Sequence, residues 1–514
     1  MPKSGDIYAS FNPRLGAFVA FQLTPPSGPG GSWPVVTLDW SGPTLPSETE
    51  INAMRPAEFT YPTLLKRPSP YQHVVAWHGA MPRSYQHVGW REPMLLDAPR
   101  MFSSWPDGTA ILHQRIWDAH DPQMVQAYLS SKRAPPDETV LVQGDGWTVT
   151  RDARSLDSEA LSAVDSLELF NRLPMLESIG ITKPHDGLVR WLGTRPLITT
   201  MRISGQQDPT LDLRGTHIRR LVLDVTGLKD VRLSSTLEDL TIIGACDSSL
   251  VISSECNGRN LIVCVEDPSL PWAGLPELGR LELWEVECFC PDRVVARFPR
   301  LRALTVAGRL CRTSTLLPLG ELAHLQFLSL TEVFPEQHEF PSPSCWPQLT
   351  LLRLHSAPDA LAKAVKKSFK SLVPDELDLD VRRPRKPDWL AANMDNPFRD
   401  WEGRSGISAG QAKKAATLYR NARRSALDRA AQLAGQPAAL TEALTQIATD
   451  YIDGFNAMDR RTQIIETVER EEILDAMTTV INAVESVRQT ELGTDFSPLE
   501  RQAILDSVEA LREF

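Results

Sequence analysis

Leu278-Gly279-Arg280-Leu281-Glu282-Leu283 and, 23 residues later, Leu301-Arg302-Ala303-Leu304-Thr305-Val306 share one pattern, with apolar residues at the first, fourth and sixth places. The pattern recurs through the middle of the chain and is degenerate in one copy. Its copies begin at Leu176, Ile198, Ile218, Leu237, Gly258, Leu278, Leu301, Leu325 and Leu349, and Leu377 with Leu379 gives a last half-match. Because these nine copies begin 19 to 24 residues apart, we expect a repeat protein in which each repeat contributes one strand.

This periodicity resembles the leucine-rich-repeat family. Four copies also have a proline lead-in, which fixes the turn into the strand: Leu173-Pro174, Leu275-Pro276, Phe298-Pro299 and Trp346-Pro347. The sequence departs from the family where an asparagine usually follows the strand; those places hold Gln206, Thr226, Ala245 and Val286. The resemblance implies an irregular solenoid over residues 136–380, including an N-terminal cap, with a parallel concave sheet and a convex side of loops or short helices.

The strand positions that alternate with the apolar ones are expected to point outward from the concave sheet. These candidate partner-binding residues are Arg202, Arg220, Asp224, Asp239, Arg280, Glu282, Trp284, Phe327, Arg353 and His355. Arginine and aromatic residues are enriched at protein interfaces. A solvated face that happens to carry charges is the plain alternative for any single residue, but the set as a whole favours a binding surface.

Composition narrows the class of protein. The chain has 514 residues, 42% of them apolar, which is enough for several globular cores. Its net charge of -11 argues against a general binder of nucleic acid or anionic membranes, which would favour a basic surface. No apolar stretch approaches the roughly 20 residues that span a bilayer. We therefore expect a cytoplasmic protein.

The cysteines agree with that location. There are seven, an odd number, and all lie between Cys246 and Cys345 in the repeat region. A secreted protein would usually show an even set. We expect reduced thiols packed as small apolar side chains between repeats. Cys288-Phe289-Cys290 has no second ligand pair at zinc-finger spacing, so neither a metal site nor a cofactor is expected.

Residues 1–135 have another composition, with 18 of the 40 prolines and six of the 13 tryptophans. Short β-type runs are separated by turn residues, and this predicts a β-rich, barrel-like module. The runs are 6–11, 17–23, 35–40 and 73–77.

The opening Lys3-Ser4-Gly5-Asp6-Ile7-Tyr8, the aromatic strand near Phe18 to Leu23, and Leu38-Asp39-Trp40 resemble a polymorphic-toxin immunity domain of bacteria. The resemblance covers about the first hundred residues and implies a binding module rather than an enzyme. The whole architecture also resembles bacterial repeat proteins often labelled gliding motility protein.

The last part of the chain is predicted to be helical. A basic, proline-rich linker and junction (381–403) precede a four-helix bundle (404–514), in which Ser408 and Gln411 form a capping box. Residues 404–429 carry seven basic residues and one acidic residue, whereas 430–514 carry sixteen acidic and six basic residues. We expect the basic first helix to lie against acidic neighbours; a basic helix offered to nucleic acid or an acidic partner is the alternative.

One catalytic motif occurs. Gly406-Ile407-Ser408-Ala409-Gly410 matches the nucleophile pattern G-x-S-x-G, but a charged loop precedes it instead of the strand that the motif requires. Ser408 is better explained as a helix cap.

The sequence therefore predicts a multidomain α+β protein, not an enzyme, that acts as a protein-recognition module or scaffold through the concave sheet. Two alternatives stay open. One is a toxin-immunity or defence protein acting through the N-terminal module, and the other is an enzyme with a site between that module and the repeats. Another protein is the expected partner, with no membrane partner; nucleic acid is not favoured.

Overall fold

A computed structural model gives the fold. It describes residues 2–25, 33–62, 71–72, 74–77, 81–94, 101–102, 105–133, 139–143, 147–162, 164, 166–182, 187–393, 395–433, 436–492 and 498–513. The chain divides into two compact units, Met1–Arg385 and Lys386–Phe514. The first contains the N-terminal module and the repeats, and the second is helical.

The N-terminal module is rich in strands and has two adjacent helices near its end, followed by a pair of strands. Its elements are β1 (Asp6–Asn12), β2 (Ala17–Leu23), β3 (Trp33–Gly42), α1 (Glu48–Ala53), β4 (Glu58–Phe59), β5 (Tyr71–Gln72), β6 (Val74–Trp77), β7 (Gln86–Trp90), β8 (Met101–Phe102), α2 (Thr109–Asp118), α3 (Pro122–Arg133), β9 (Thr139–Gln143) and β10 (Trp147–Thr150). The four sequence runs correspond to β1, β2, β3 and β6. Periodicity did not predict α2 and α3.

Six strands form the main sheet of this module in the order β7-β1-β2-β3-β6-β8. Both faces are covered, because Phe21 and Val35 pack with Phe59 and Trp105, while Ala20 and Leu38 pack with Ile51 of α1 on the other side. The predicted barrel-like closure is not seen among the described strands. Among these strands, β7 and β8 lie at the two opposite edges of the sheet.

The repeat region alternates strands with loops and short helices. Its elements are β11 (Ser155–Leu156), α4 (Ser158–Ser162), β12 (Ser178–Ile181), α5 (Leu188–Gly193), β13 (Thr200–Ile203), β14 (Thr210–Asp212), β15 (Arg220–Asp224), β16 (Asp230–Arg232), β17 (Asp239–Ile243), β18 (Val251–Ser253), β19 (Ile262–Val265), β20 (Ala273–Gly274), β21 (Arg280–Cys288), α6 (Pro291–Arg297), β22 (Ala303–Thr313), β23 (Phe327–Pro335), β24 (Leu351–His355), α7 (Asp359–Ser368) and β25 (Asp378–Arg382).

The predicted parallel sheet with one strand per repeat is confirmed. Eleven strands pair in parallel in the order β11-β12-β13-β15-β17-β19-β21-β22-β23-β24-β25. Register follows the apolar pattern, so that Leu281, Leu304, Leu328 and Leu352 are paired across β21 to β24. All four are fully buried. Each repeat buries its leucines against the next, which is why a single repeat would not be stable alone.

The segments that connect one strand of the eleven-stranded sheet to the next are here called return segments. In the early repeats they contain strands that the sequence did not predict. Strands β14, β16, β18 and β20 form a second parallel sheet. Leu211, Val231 and Ile252 from its first three strands are buried in the shared core. In the later repeats the return segments hold helices instead, such as α6 and α7. The side of the repeats opposite the eleven-stranded sheet is therefore part sheet and part helix, rather than loops and short helices throughout.

The cysteines match the sequence expectation only in part. All seven thiols are free. However, only Cys311 is buried, while Cys256, Cys288 and Cys290 are exposed. Cys246 and Cys345 are partly buried and pack against the repeat core, so packing accounts for these two and Cys311 but not for the exposed cysteines.

The predicted helical C-terminal region is confirmed. It contains α8 (Pro387–Asn393), α9 (Ala409–Gln432), α10 (Pro437–Thr462), α11 (Thr467–Leu492) and α12 (Pro498–Leu511). Ser408 and Gln411 form the expected capping box at the start of α9, so the serine of the G-x-S-x-G motif is a helix cap. Nowhere in the described part of the chain is there a helix long and apolar enough to cross a membrane.

The basic residues of α9 do not all lie against acidic neighbours. The helix packs through alanines such as Ala415, Ala422 and Ala426. Lys413, Lys414, Arg420, Arg424 and Arg429 are exposed on its other sides. Before the helix, the Nη atoms of Arg404 do lie 2.7 Å from Glu469 and from Glu472 of α11. The expected pairing is thus met by Arg404 but not by most of the helix.

The repeat core can be tested with adjacent residues of β22. Leu304 is fully buried, whereas its neighbour Thr305 is partly exposed on the opposite face. We expect Leu304→Ala to lower the free energy of unfolding by about 2–5 kcal/mol through lost packing. Thr305→Ala should change it by less than about 1 kcal/mol. Urea unfolding followed by the β-sheet circular dichroism signal measures both, and equal losses would contradict the assigned faces.

Candidate functional site

All ten sequence-predicted partner-binding residues lie on strands of the eleven-stranded sheet, and none of them is buried. They alternate with core residues on the face that points away from the core, here called the outward face. Strand pairing arranges them in three rows: Arg220, Asp239, Arg280 and Phe327; then Arg202, Glu282 and Arg353; then Asp224, Trp284 and His355. The sequence therefore predicted correctly which strand residues point outward. Their role in binding stays a prediction.

Five of the ten form one cluster on β21, β23 and β24. The guanidinium carbon of Arg280 lies 5.5 Å from the ring centroid of Phe327, and that of Arg353 lies 5.7 Å from the same ring. Glu282 accepts a 2.7 Å ion pair from Arg280 and a 3.2 Å hydrogen bond from the indole of Trp284. We call Arg280, Glu282, Trp284, Phe327 and Arg353 the central cluster.

Small residues on the strand between make the cluster possible. Ala303 of β22 pairs with Arg280 on one side and with Phe327 on the other. Strands two apart are separated by roughly 9–10 Å, so an arginine can cross over a methyl group to reach the ring. Thr305 and Ala307, the next outward residues of β22, also have small side chains and form a strip with Ala303. The result is an arginine-aromatic rim beside a strip of small side chains.

The other predicted residues are engaged elsewhere on the face. Arg220 lies 3.5 Å from Asp239 on the next strand, and His355 lies 3.2 Å from Asp380 of β25. Asp224 accepts a hydrogen bond from the backbone of Thr226 and so stabilises the turn after β15. Arg202 is exposed on β13, far along the sheet from the central cluster. The ten residues therefore form one cluster with isolated pairs around it.

Burial sets the titration of groups on this face. It raises the pKa of Asp239, against the opposing effect of Arg220. It also raises the pKa of Cys264 to about 11, and the nearby Glu282 and Glu266 add to this. At Asp380, burial opposes ionisation, but hydrogen bonds from Arg382 and His355 outweigh it and hold the pKa below its usual value.

A second candidate site, which the sequence did not reveal, lies where the N-terminal module meets the amino-terminal edge of the repeat sheet. Glu177, Glu238 and Glu376 each lie just before a strand. They contact Tyr128 at 3.0 Å, Arg14 at 2.6 Å and Arg83 at 2.8 Å, respectively. These contacts run along the sheet, so the module docks lengthwise and is not only a terminal cap. No local signal could have shown this, because the partners are 49 to 293 residues apart.

A pocket of about 290 Å³ opens at this junction, with Arg14, Leu112, Glu238, Arg259 and Asn260 in its wall. Glu238 is central, because it also lies 3.3 Å from the Nε2 atom of His113. Burial opposes its ionisation, but His113, Arg219 and Arg14 outweigh that and lower its pKa. Arg14 of the N-terminal module and Glu238 of the repeats already pair with each other. We therefore interpret the junction as a structural contact between the module and the repeats.

Comparison with known proteins adds little. No protein-family profile matches the chain, and no curated protein matches it. One solved structure that matches is an internalin from Listeria monocytogenes, at 12% identity over 51% of this chain and 88% of that chain, with a TM-score of 0.21. The fold described above rests on strand pairing and burial.

The docking contact makes a pH prediction. Because the pKa of Glu238 is lower in the folded state, its carboxylate stabilises the fold at pH values above its unfolded pKa of about 4.5. That contribution is lost as pH falls through the folded value. We expect wild-type melting temperature to fall between pH 5 and the acid limit more steeply than that of Glu238→Gln, measured by thermal unfolding. Parallel pH profiles for the two proteins would contradict this role.

Proposed function

We propose that the chain is a non-enzymatic recognition protein, with a leucine-rich-repeat type solenoid whose outward, concave sheet face binds a partner protein. The central cluster is the observation that supports this most directly. Trp284 is 42% exposed although it is a large apolar residue, and Glu282 connects it to Arg280, one of the two arginines that lie over the ring of Phe327. Tryptophan and arginine are among the residues that contribute most binding energy at protein interfaces.

The chemistry of the face supports binding rather than catalysis. A nucleophilic cysteine needs a lowered pKa, yet that of Cys264 is raised to about 11, so its thiol stays protonated near neutral pH. His355 and Asp380 pair with each other, and Arg382 also binds this aspartate. The third chemical candidate, Ser408, caps helix α9. His355 and Ser408 thus have structural partners, and the thiol of Cys264 is not activated as a nucleophile.

One observation favours the second candidate, recognition through the N-terminal module as an immunity or defence protein would use it. Phe11 of β1 and Trp90 of β7 are 51% and 56% exposed. Phe11 packs edge-on against Phe18, which holds the ring in place without covering it. Exposed aromatic residues are candidates for interface anchors, so this module offers a surface of its own.

Two matched pairs of substitutions separate these proposals. The full-length tagged protein would be used to isolate partners from its native cells, and the affinity of each purified partner would then be measured. Trp284→Ala/Phe327→Ala should weaken binding about 30-fold or more, the effect of losing interface residues worth about 2 kcal/mol. Phe11→Ala/Trp90→Ala should leave that affinity unchanged.

The opposite pattern would assign recognition to the N-terminal module and contradict the proposal. Thermal unfolding of each variant shows whether the fold is kept. Equal affinity in all three proteins would remove both surfaces from consideration.

A further inference from the structure

Phe327 lies between two guanidinium groups that differ in their electrostatic environment. Arg280 reaches the ring from β21, and its charge is balanced by Glu282 at 2.7 Å. Arg353 reaches the ring from β24. Among the residues that the structure describes, no carboxylate forms an ion pair with Arg353. One cation on this ring is therefore balanced, and the other is not.

The nearest candidate on the neighbouring strand is already engaged. Asp380 of β25 is the register partner of Arg353. Its carboxylate instead accepts from Arg382 at 2.8 Å and lies 3.2 Å from His355. Arg353 turns the other way, onto Phe327. Because Asp380 is already bound by Arg382 and His355, it does not balance the charge of Arg353. The guanidinium of Arg353 is therefore a cation on a partly exposed face.

A guanidinium stacked on an aromatic ring is well prepared to bind an anion. Stacking restricts the long side chain, while the in-plane N–H groups remain able to donate two parallel hydrogen bonds to a carboxylate. A polyanion fits less well, because Glu282, Asp378 and Asp380 place three acidic side chains on the same part of the face. The local charge suits one carboxylate and would repel a string of phosphates.

We infer that the outward face binds an acidic peptide segment of its partner, with an aspartate or glutamate carboxylate on Arg353. Other residues of the segment pack apolar side chains, one against Phe327 beside Ala303 and another against Trp284 beside Ala307. This inference rests on the proposed function, since it names the chemistry of the partner at the same site.

The test uses a displayed library of random 12-residue peptides, selected on the folded full-length protein. The informative variant is Arg353→Met, which removes the charge and keeps an apolar stem. Arg382→Met, on the same face but already paired with Asp380, is the matched control. We expect selected peptides to be enriched in aspartate or glutamate on the wild type and on Arg382→Met, but not on Arg353→Met.

One selected peptide is then compared with its amide counterpart, Asp to Asn or Glu to Gln. The amide should weaken binding to the wild type about tenfold or more and leave binding to Arg353→Met unchanged. An equal effect on both proteins overturns the inference, while the proposed function stands if Trp284→Ala/Phe327→Ala still abolishes binding.

Two other results are decisive. A library that yields no peptide sensitive to Trp284→Ala/Phe327→Ala counts against both the inference and the proposed function. A single-stranded 20-nucleotide DNA that binds the wild type and is lost on Arg353→Met would show that the cation takes a phosphate, and would overturn the peptide assignment.

Discussion

Parallel strand pairing between successive repeats is the constraint on which the first unit depends. A parallel strand satisfies its backbone groups only through neighbours on both sides, and each repeat supplies one strand. The register that pairs the backbones also aligns Leu281, Leu304, Leu328 and Leu352 in one buried column. Hydrogen bonding and apolar burial therefore select the same arrangement, and each repeat is stabilised by its neighbours.

The same constraint creates the outward face. Because side chains alternate along a strand, a strand that buries its leucines must present the residues between them on the other side. Strand spacing then decides which of these can meet. Arg280 and Phe327 make contact because Ala303 between them is small, and a larger residue there would separate the arginine from the ring. The central cluster follows from sequence alternation and from one small residue.

The N-terminal module uses the remaining surface, the amino-terminal edge of the sheet. Glutamates at that edge are ion-paired with or hydrogen-bonded to residues of the module, as in the Arg14 and Glu238 pair. The Arg14–Glu238 pair is mostly buried, so removing one partner would leave a charge in poor solvent, whereas the exposed pair of Arg83 and Glu376 contributes little. The N-terminal module docks on the edge of the sheet and leaves the outward face exposed at Trp284. The edge thus has a structural role, and the outward face stays free for the proposed binding.

The sequence by itself determined the strands of the repeats, their parallel sheet, the alternation of buried and outward residues, and the capping of α9 by Ser408. These features depend on the local sequence pattern and on a period that recurs in every repeat. Only the tertiary structure decided that β14, β16, β18 and β20 form a second sheet, that the N-terminal sheet runs in the order β7-β1-β2-β3-β6-β8, and that Glu238 meets Arg14. It also decided which outward residues cluster. Such features depend on contacts between distant residues, and on side-chain lengths across neighbouring strands, which no local period encodes.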